Sequence, residues 1–184
     1  MSTESLRTAL ESCIEGIKQD PESAKIVLTA RTQLEEDVRA TAHVRDFPAM
    51  VVDEPAVFGG TDQGMNPGEV LLAALGTCQE IMYSAFAAAM GVQLDELKIT
   101  CRGNLDLHGM LALDEAVPAG FTEINFEAHI KSPESPEKIR ALIDMAQSHC
   151  PLLDTITRSV PTGGSAYLNG ELVDTLEAFE DAAE

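Results

Sequence analysis

The sequence predicts an α+β domain of short antiparallel strands and a few helices. Three observations predict it. Residues 67–90 form a long, almost uniformly apolar helical stretch with cap signals at both ends. Residues 97–107 and 121–131 alternate as strands, and three shorter strand-like runs lie between residues 25 and 52.

In chain order, residues 2–18 place Leu6, Leu10, Cys13, Ile14 and Ile17 at helical spacing, with Pro21 marking the end of an amphipathic helix. Residues 25–32, 38–44 and 49–52 read as an antiparallel meander. Glu35, Glu36 and Asp37 make the first turn, and Asp46 and Pro48 the second. Residues 53–66 are rich in glycine and turn formers, and long ordered loops of this kind tend to carry function. The main helix follows, with Asn66 as N-cap, Pro67 at its first position, Glu69 completing an N-x-x-E capping box and Gly91 as the stop. It would extend about 36 Å. Almost every position is apolar or small, so most of its circumference has to be buried, whereas one small sheet covers only one side.

The run 97–107 is expected to place Ile99, Cys101, Gly103, Leu105 and Leu107 on one face, with residues 114–120 as the loop to the next strand, 121–131. Ser135 then caps a helix over 136–149, with Ile139, Leu142, Ile143 and Ala146 on its apolar side. Cys150-Pro151 stops it. A short helical turn over 153–160 and a last strand over 166–173, turning at Asn169-Gly170, complete the layout. The Glu-rich end reads as a solvated tail.

The 184 residues are enough for one domain of about 100–200 residues. With 12 Lys+Arg against 31 Asp+Glu, the net charge of −19 makes nucleic acid and anionic membrane surfaces poor partners. A hydrophobic content of 45% excludes acidic disorder. The N-terminus carries Glu4, Glu11 and Glu15 and does not read as a signal peptide. The longest apolar stretch, 70–90, is broken by Gln79 and Glu80 and lacks basic flanks, as expected of a buried helix rather than a membrane span. Cys13, Cys78, Cys101 and Cys150 lack CxxC spacing. Structural disulfides and a zinc site are not expected, and cytoplasmic residence is.

His43, His108, His129 and His149 are isolated from one another, and His43 and His129 read as ordinary strand residues. Neither a Ser-His-Asp order nor a P-loop, dinucleotide fingerprint or HExxH occurs. The cysteines remain. On composition alone Cys78, among Ala74, Leu75, Ile81 and Met82, is a small buried hydrophobe, and Cys13 and Cys101 occupy similarly apolar positions. Cys150 is different, because it ends a helix between His149 and Pro151, at a chain reversal.

The run DEPAVFGGTDQGMNPGEVLLAALGTCQEIMYSAFAAAMG over 53–91 resembles the OsmC/Ohr family of thiol-dependent hydroperoxide reductases, in which a Gly-rich loop and an NPxELLLAALGxC-type helix carry the first cysteine. HCPLLDTI over 149–156 is similar to the family's second-cysteine motif, in the family's order. The resemblance assigns residues 21–176 to an OsmC-like domain, leaving an N-terminal helix (1–20) and an acidic tail (177–184) outside it. It implies curved antiparallel sheets wrapping long central helices in an intertwined homodimer, which would also bury the apolar helix on all sides.

The activity the resemblance implies is reduction of organic hydroperoxides in oxidative-stress defence. A Cys78 thiolate would attack, Cys150 would resolve the sulfenic acid to a disulfide, and an external lipoyl-type dithiol would reduce it, with no metal or bound cofactor. Leu75, Met82 and Phe86 would line an apolar substrate pocket. Family peroxidases supply an arginine from the early strands to hold the thiolate: Arg39 is the first choice, then Arg45 and Arg31. Each is equally readable as a surface strand residue. The arginine's carboxylate partner immediately follows the family's NP pair. Here that position is Gly68 and the acid is Glu69, about 100° further round the helix. Glu69 is therefore readable either as the replacement carboxylate or as the capping-box partner of Asn66. A non-catalytic OsmC-like dimer binding a small apolar or acyl ligand is the alternative. Cys150, at a helix C-terminus, is expected to rest as a thiol because carbonyls there disfavour an anion by about 0.3–1 kcal/mol. Cys78, mid-helix, is expected to gain nothing from a helix dipole.

Overall fold

The computed structural model describes residues 3–176, so the acidic tail over 177–184 lies outside the described residues. Helix α1, Thr3–Gln19, leads to an extended segment and a three-stranded antiparallel meander: β1 Arg31–Glu36, β2 Arg39–His43 and β3 Met50–Val52. The central helix α2, Pro67–Met90, is followed by β4, Glu96–Leu105, a short helix α3, Leu107–Met110, and β5, Phe121–Lys131. Helices α4, Pro136–Ser148, and α5, Pro151–Thr157, follow, and the hairpin β6 Gly164–Leu168 and β7 Glu171–Leu176 ends the described chain.

Helix α2 begins and ends where its sequence signals stand. Asn66 Oδ1 accepts from Glu69 N at 2.9 Å, Glu69 Oε2 accepts from Asn66 N at 2.9 Å, and Gly91 is left-handed at φ +63°. The capping box satisfies two N–H groups that a helix start leaves open, typically about 1 kcal/mol for the cap. One flank of α2 packs on β4, where Gly76 lies against Cys101 and Ile99. Another packs on α4, and Tyr83, Ala87, Val92, Leu142 and Ala146 form the buried core. Burying a side chain such as Leu142 contributes about 1.5–3 kcal/mol. Helices α1 and α5 also lie against α2.

Elsewhere the apolar surface is bare. Ile81 is 66% exposed, and both strands of the β6–β7 hairpin are exposed throughout, Tyr167, Leu168, Leu172 and Val173 included. The expected burial of α2 around most of its circumference is therefore not achieved within one chain.

Three boundaries differ from expectation. The apolar run 25–30 is extended but unpaired, with Ile26, Val27 and Leu28 strongly exposed; β1 starts at Arg31 and the turn falls at residues 37–38, where Asp37 has φ +45°. Leu107 does not continue β4, because Asp106 caps α3 by accepting the His108 N–H at 2.9 Å and turns the chain off the sheet. Cys150-Pro151 stops α4 but also starts α5, with Cys150 as its N-cap.

Candidate functional site

Cys78 lies midway along α2 and Cys150 at the α4–α5 junction, and the fold brings their sulfurs to 3.5 Å. Cys150 is fully buried and Cys78 half-buried; all four cysteines are free thiols. Two helices that cross at α2 account for this approach. Helix α4 carries the chain back along α2 through Leu142 and Ala146, and Pro151, at the first position of α5, turns it so that α5 starts against Cys78.

Burial pushes the Cys78 thiol above its ordinary range. The Leu152 N–H, hydrogen-bonded to its sulfur, pulls the other way, and the adjacent Cys150 adds to the rise. The expectation that Cys78 owes nothing to a helix end is thus corrected: it rests on the first turn of α5, whose free N–H groups favour an anion. Cys150 correspondingly belongs to a helix start as well as to a helix end. Cys101, on the opposite side of α2 against Gly76, is raised by burial and by the Glu80 carboxylate.

The other expected site residues fall in several places. Arg39 pairs with Glu36 at 2.7 Å and lines a shallow cleft with Asp53, Gly60 and Thr61; no arginine is among the groups acting on the Cys78 thiol in its own chain. Arg45 stacks on the Phe47 ring at 4.5 Å, and Arg31 is paired in the meander opposite His43. Glu69 makes the capping box. Leu75 lines a cavity of about 260 Å³ with Phe121, Leu153 and Ile156, next to α5. Met82 and Phe86 pack against the core cluster, and the Phe86 ring meets His149 at 5.4 Å between centroids. His149 Nδ1 is in turn 3.0 Å from the Met145 carbonyl oxygen. Among the described residues no group of three His, Cys, Asp or Glu side chains is placed to hold a metal ion.

Four features escaped the sequence reading. Asp53, 1% exposed, accepts hydrogen bonds from Glu54 N, Thr61 N, Thr61 Oγ1 and Gln63 N, stapling the Gly-rich loop from one side. These bonds hold its carboxyl below the ordinary range, the Thr61 hydroxyl most of all. Gln79, beside Cys78, is fully buried with neither amide atom hydrogen-bonded. The Phe121 ring lies between α2 and β4, where a Cβ on Gly68 would meet it at 3.2 Å and one on Gly103 at 2.5 Å. At Gly68 the ring would have to give by a few tenths of an ångström; at Gly103 it blocks a side chain outright. The fourth, the Leu152 N–H, depends on a helix start that Cys150-Pro151 signals through proline at a first helical position.

A helix-borne cysteine facing a second cysteine across an α+β fold of this layout defines a two-thiol protein class. The model of the OsmC-like protein family matches residues 60–163, more than half of the chain and both cysteines, and the chain belongs to that family. A protein of Mycoplasma genitalium named hydroperoxide reductase is 30% identical over 94 residues, covering 51% of this chain; the chain spans 63% of that relative's length. The crystal structure of an OsmC-like protein from Mycoplasma pneumoniae superposes with a TM-score of 0.63 at 25% identity, covering 72% of this chain and 89% of that one. An organic hydroperoxide resistance protein OsmC from Legionella pneumophila shares the fold at a TM-score of 0.55 and 21% identity, over 72% and 91% of the two chains.

Proposed function

We propose that this protein is a homodimeric thiol peroxidase that reduces organic hydroperoxides to alcohols, with Cys78 as the attacking thiol and Cys150 as the resolving one. The 3.5 Å approach of two cysteines from separate helices carries the reading. The Cys78 thiolate attacks the outer oxygen, the O–O bond breaks, and the alkoxide leaves with a proton as the alcohol. Cys78 is then a sulfenic acid. The Cys150 sulfur attacks it, water leaves, and a Cys78–Cys150 disulfide remains for an external dithiol of lipoyl type to reduce.

A thiol raised by burial requires a positive charge beyond the Leu152 N–H to ionise at neutral pH. In this proposal the arginine, Arg39 first among Arg39, Arg45 and Arg31, reaches the site from a second copy of the chain. The exposure of Ile26, Val27 and Leu28 and of Tyr167, Leu168, Leu172 and Val173 on the β6–β7 hairpin supports such a partner, since surfaces this apolar mark an interface. The same raised thiol favours a second reading, a dimer that binds an apolar or acyl ligand and does no chemistry.

Mass spectrometry after one equivalent of cumene hydroperoxide separates the two. A sulfenic acid trapped on Cys78 in Cys150→Ser, and a Cys78–Cys150 disulfide in the wild type, are expected. Modification confined to Cys150, or none on either cysteine, would discard the peroxidase in favour of the ligand-binding dimer.

A further inference from the structure

A carboxamide is a costly side chain to seal inside a packed core unless both of its ends are bonded. Gln79 is 0% exposed, and its Oε1 and Nε2 are the buried side-chain polar atoms without a hydrogen bond among the described residues. A Leu or Met of similar size would avoid that cost, so the amide calls for a partner or a chemical task.

Helix periodicity fixes what Gln79 faces. One turn before it, Leu75 shares a cavity with Leu153 and Ile156 of α5. One turn after it, Tyr83 packs with Leu142 and Ala146 of α4, and its hydroxyl accepts from Gln147 Nε2 at 3.5 Å. Position 79 therefore faces the stretch of chain between Gln147 and Leu153. Within that stretch lies Cys150, fully buried, with its sulfur 3.5 Å from that of Cys78. Because the amide is sealed inside one chain, a second copy packed on the surface does not reach it.

We propose that Gln79 serves the resolving step: Oε1 accepts the Cys150 S–H, and Nε2 donates to the oxygen of the Cys78 sulfenic acid. The inference rests on the peroxidase reading and adds a residue to it. In this step the Cys150 S–H and Cys78 S–O bonds break, the S–S bond forms, and the proton leaves with the hydroxyl as water. A carboxamide presents an acceptor at one end and donors at the other. That pairing matches a thiol that gives up its proton and a hydroxyl that departs.

Rapid-quench mass spectrometry with dimedone, after one equivalent of cumene hydroperoxide, follows both steps in the full-length protein. In Gln79→Met the Cys78 sulfenic acid should form at the wild-type rate and the disulfide about tenfold more slowly. The Tm of the reduced variant should not fall, since an apolar side chain of the same length removes an unpaired amide. Gln79→Leu should behave alike. Tyr83→Phe, one turn along the same face, should leave both rates unchanged, which a general loosening of this core would not. Three results would each overturn the assignment and leave the peroxidase reading intact: wild-type disulfide formation in both Gln79 variants, equal slowing in Tyr83→Phe, or a lowered Tm in both Gln79 variants. The last would mark an amide already bonded in the reduced chain. Absence of any sulfenic acid on Cys78 in Cys150→Ser would overturn both.

Discussion

Oxidation of the cysteine pair would tie together positions 72 residues apart, and the stabilisation to be expected follows from that separation. Closing a loop of this length removes denatured-state entropy equivalent to about 4 kcal/mol at 25 °C. The sulfurs stand 3.5 Å apart and a disulfide needs about 2.05 Å, so they must approach by about 1.5 Å, and the strain of that approach subtracts from the gain. A net stabilisation of about 2–4 kcal/mol remains, worth a rise of roughly 5–15 °C in Tm for a chain of this size. Thermal unfolding before and after one equivalent of cumene hydroperoxide, at fixed protein concentration because assembly adds to stability, measures it. Dithiothreitol should reverse the rise and Cys78→Ser should abolish it. An unchanged Tm in protein whose disulfide is verified by mass, or the same rise in Cys78→Ser, would refute the reasoning.

The loop staple has a pH signature. With its carboxyl held below the ordinary carboxylate range, Asp53 contributes stability that is present above the unfolded value near 4 and is lost as pH falls through its lowered folded value. Asp53→Asn should lower Tm at neutral pH and shrink the wild-type loss of Tm between about pH 4 and pH 2; an unaltered acid limb would show that the staple does not titrate with folding. Gly103→Ala puts a Cβ 2.5 Å from the Phe121 ring and should destabilise by about 1–3 kcal/mol in urea unfolding, with Phe121→Leu restoring most of the loss. Equal losses in the single and double variants would mean that the ring is not what Gly103 accommodates.

Helix α2 was legible almost to the residue because its boundaries are local: Asn66, Pro67, Glu69 and Gly91 each act within one turn of where they stand. Strand β5 was equally clear, since alternation over 121–131 is its own signal. Strand β1 was placed too early because the run over residues 25–30 has every β-forming preference but no partner strand; pairing is set by where Asp37 turns the chain. Leu107 fitted the alternation of β4 and nothing apolar distinguished it, yet Asp106 decides its fate as a cap. The cysteine pair came from family motifs, and its environment did not. That Leu152 donates to Cys78, or that Phe121 occupies the space beside Gly68, depends on contacts between segments far apart in sequence, which no local pattern encodes.

Cys150 belongs fully to neither α4 nor α5, and that position has a mechanical consequence. Cys78 is held in a 24-residue helix gripped by α1, β4, α4 and α5, so it can travel little. The joint between the two shorter helices is not itself inside a long helix, and in the proposed reaction the closing of the sulfur gap would fall there. Because Leu153 and Ile156 ride on α5 and form part of the small cavity beside Leu75, a change of bonding at sulfur would be transmitted to the shape of that cavity. In the proposed reaction the joint would thus act as a lever: oxidation would move a cavity wall, and reduction would let it return.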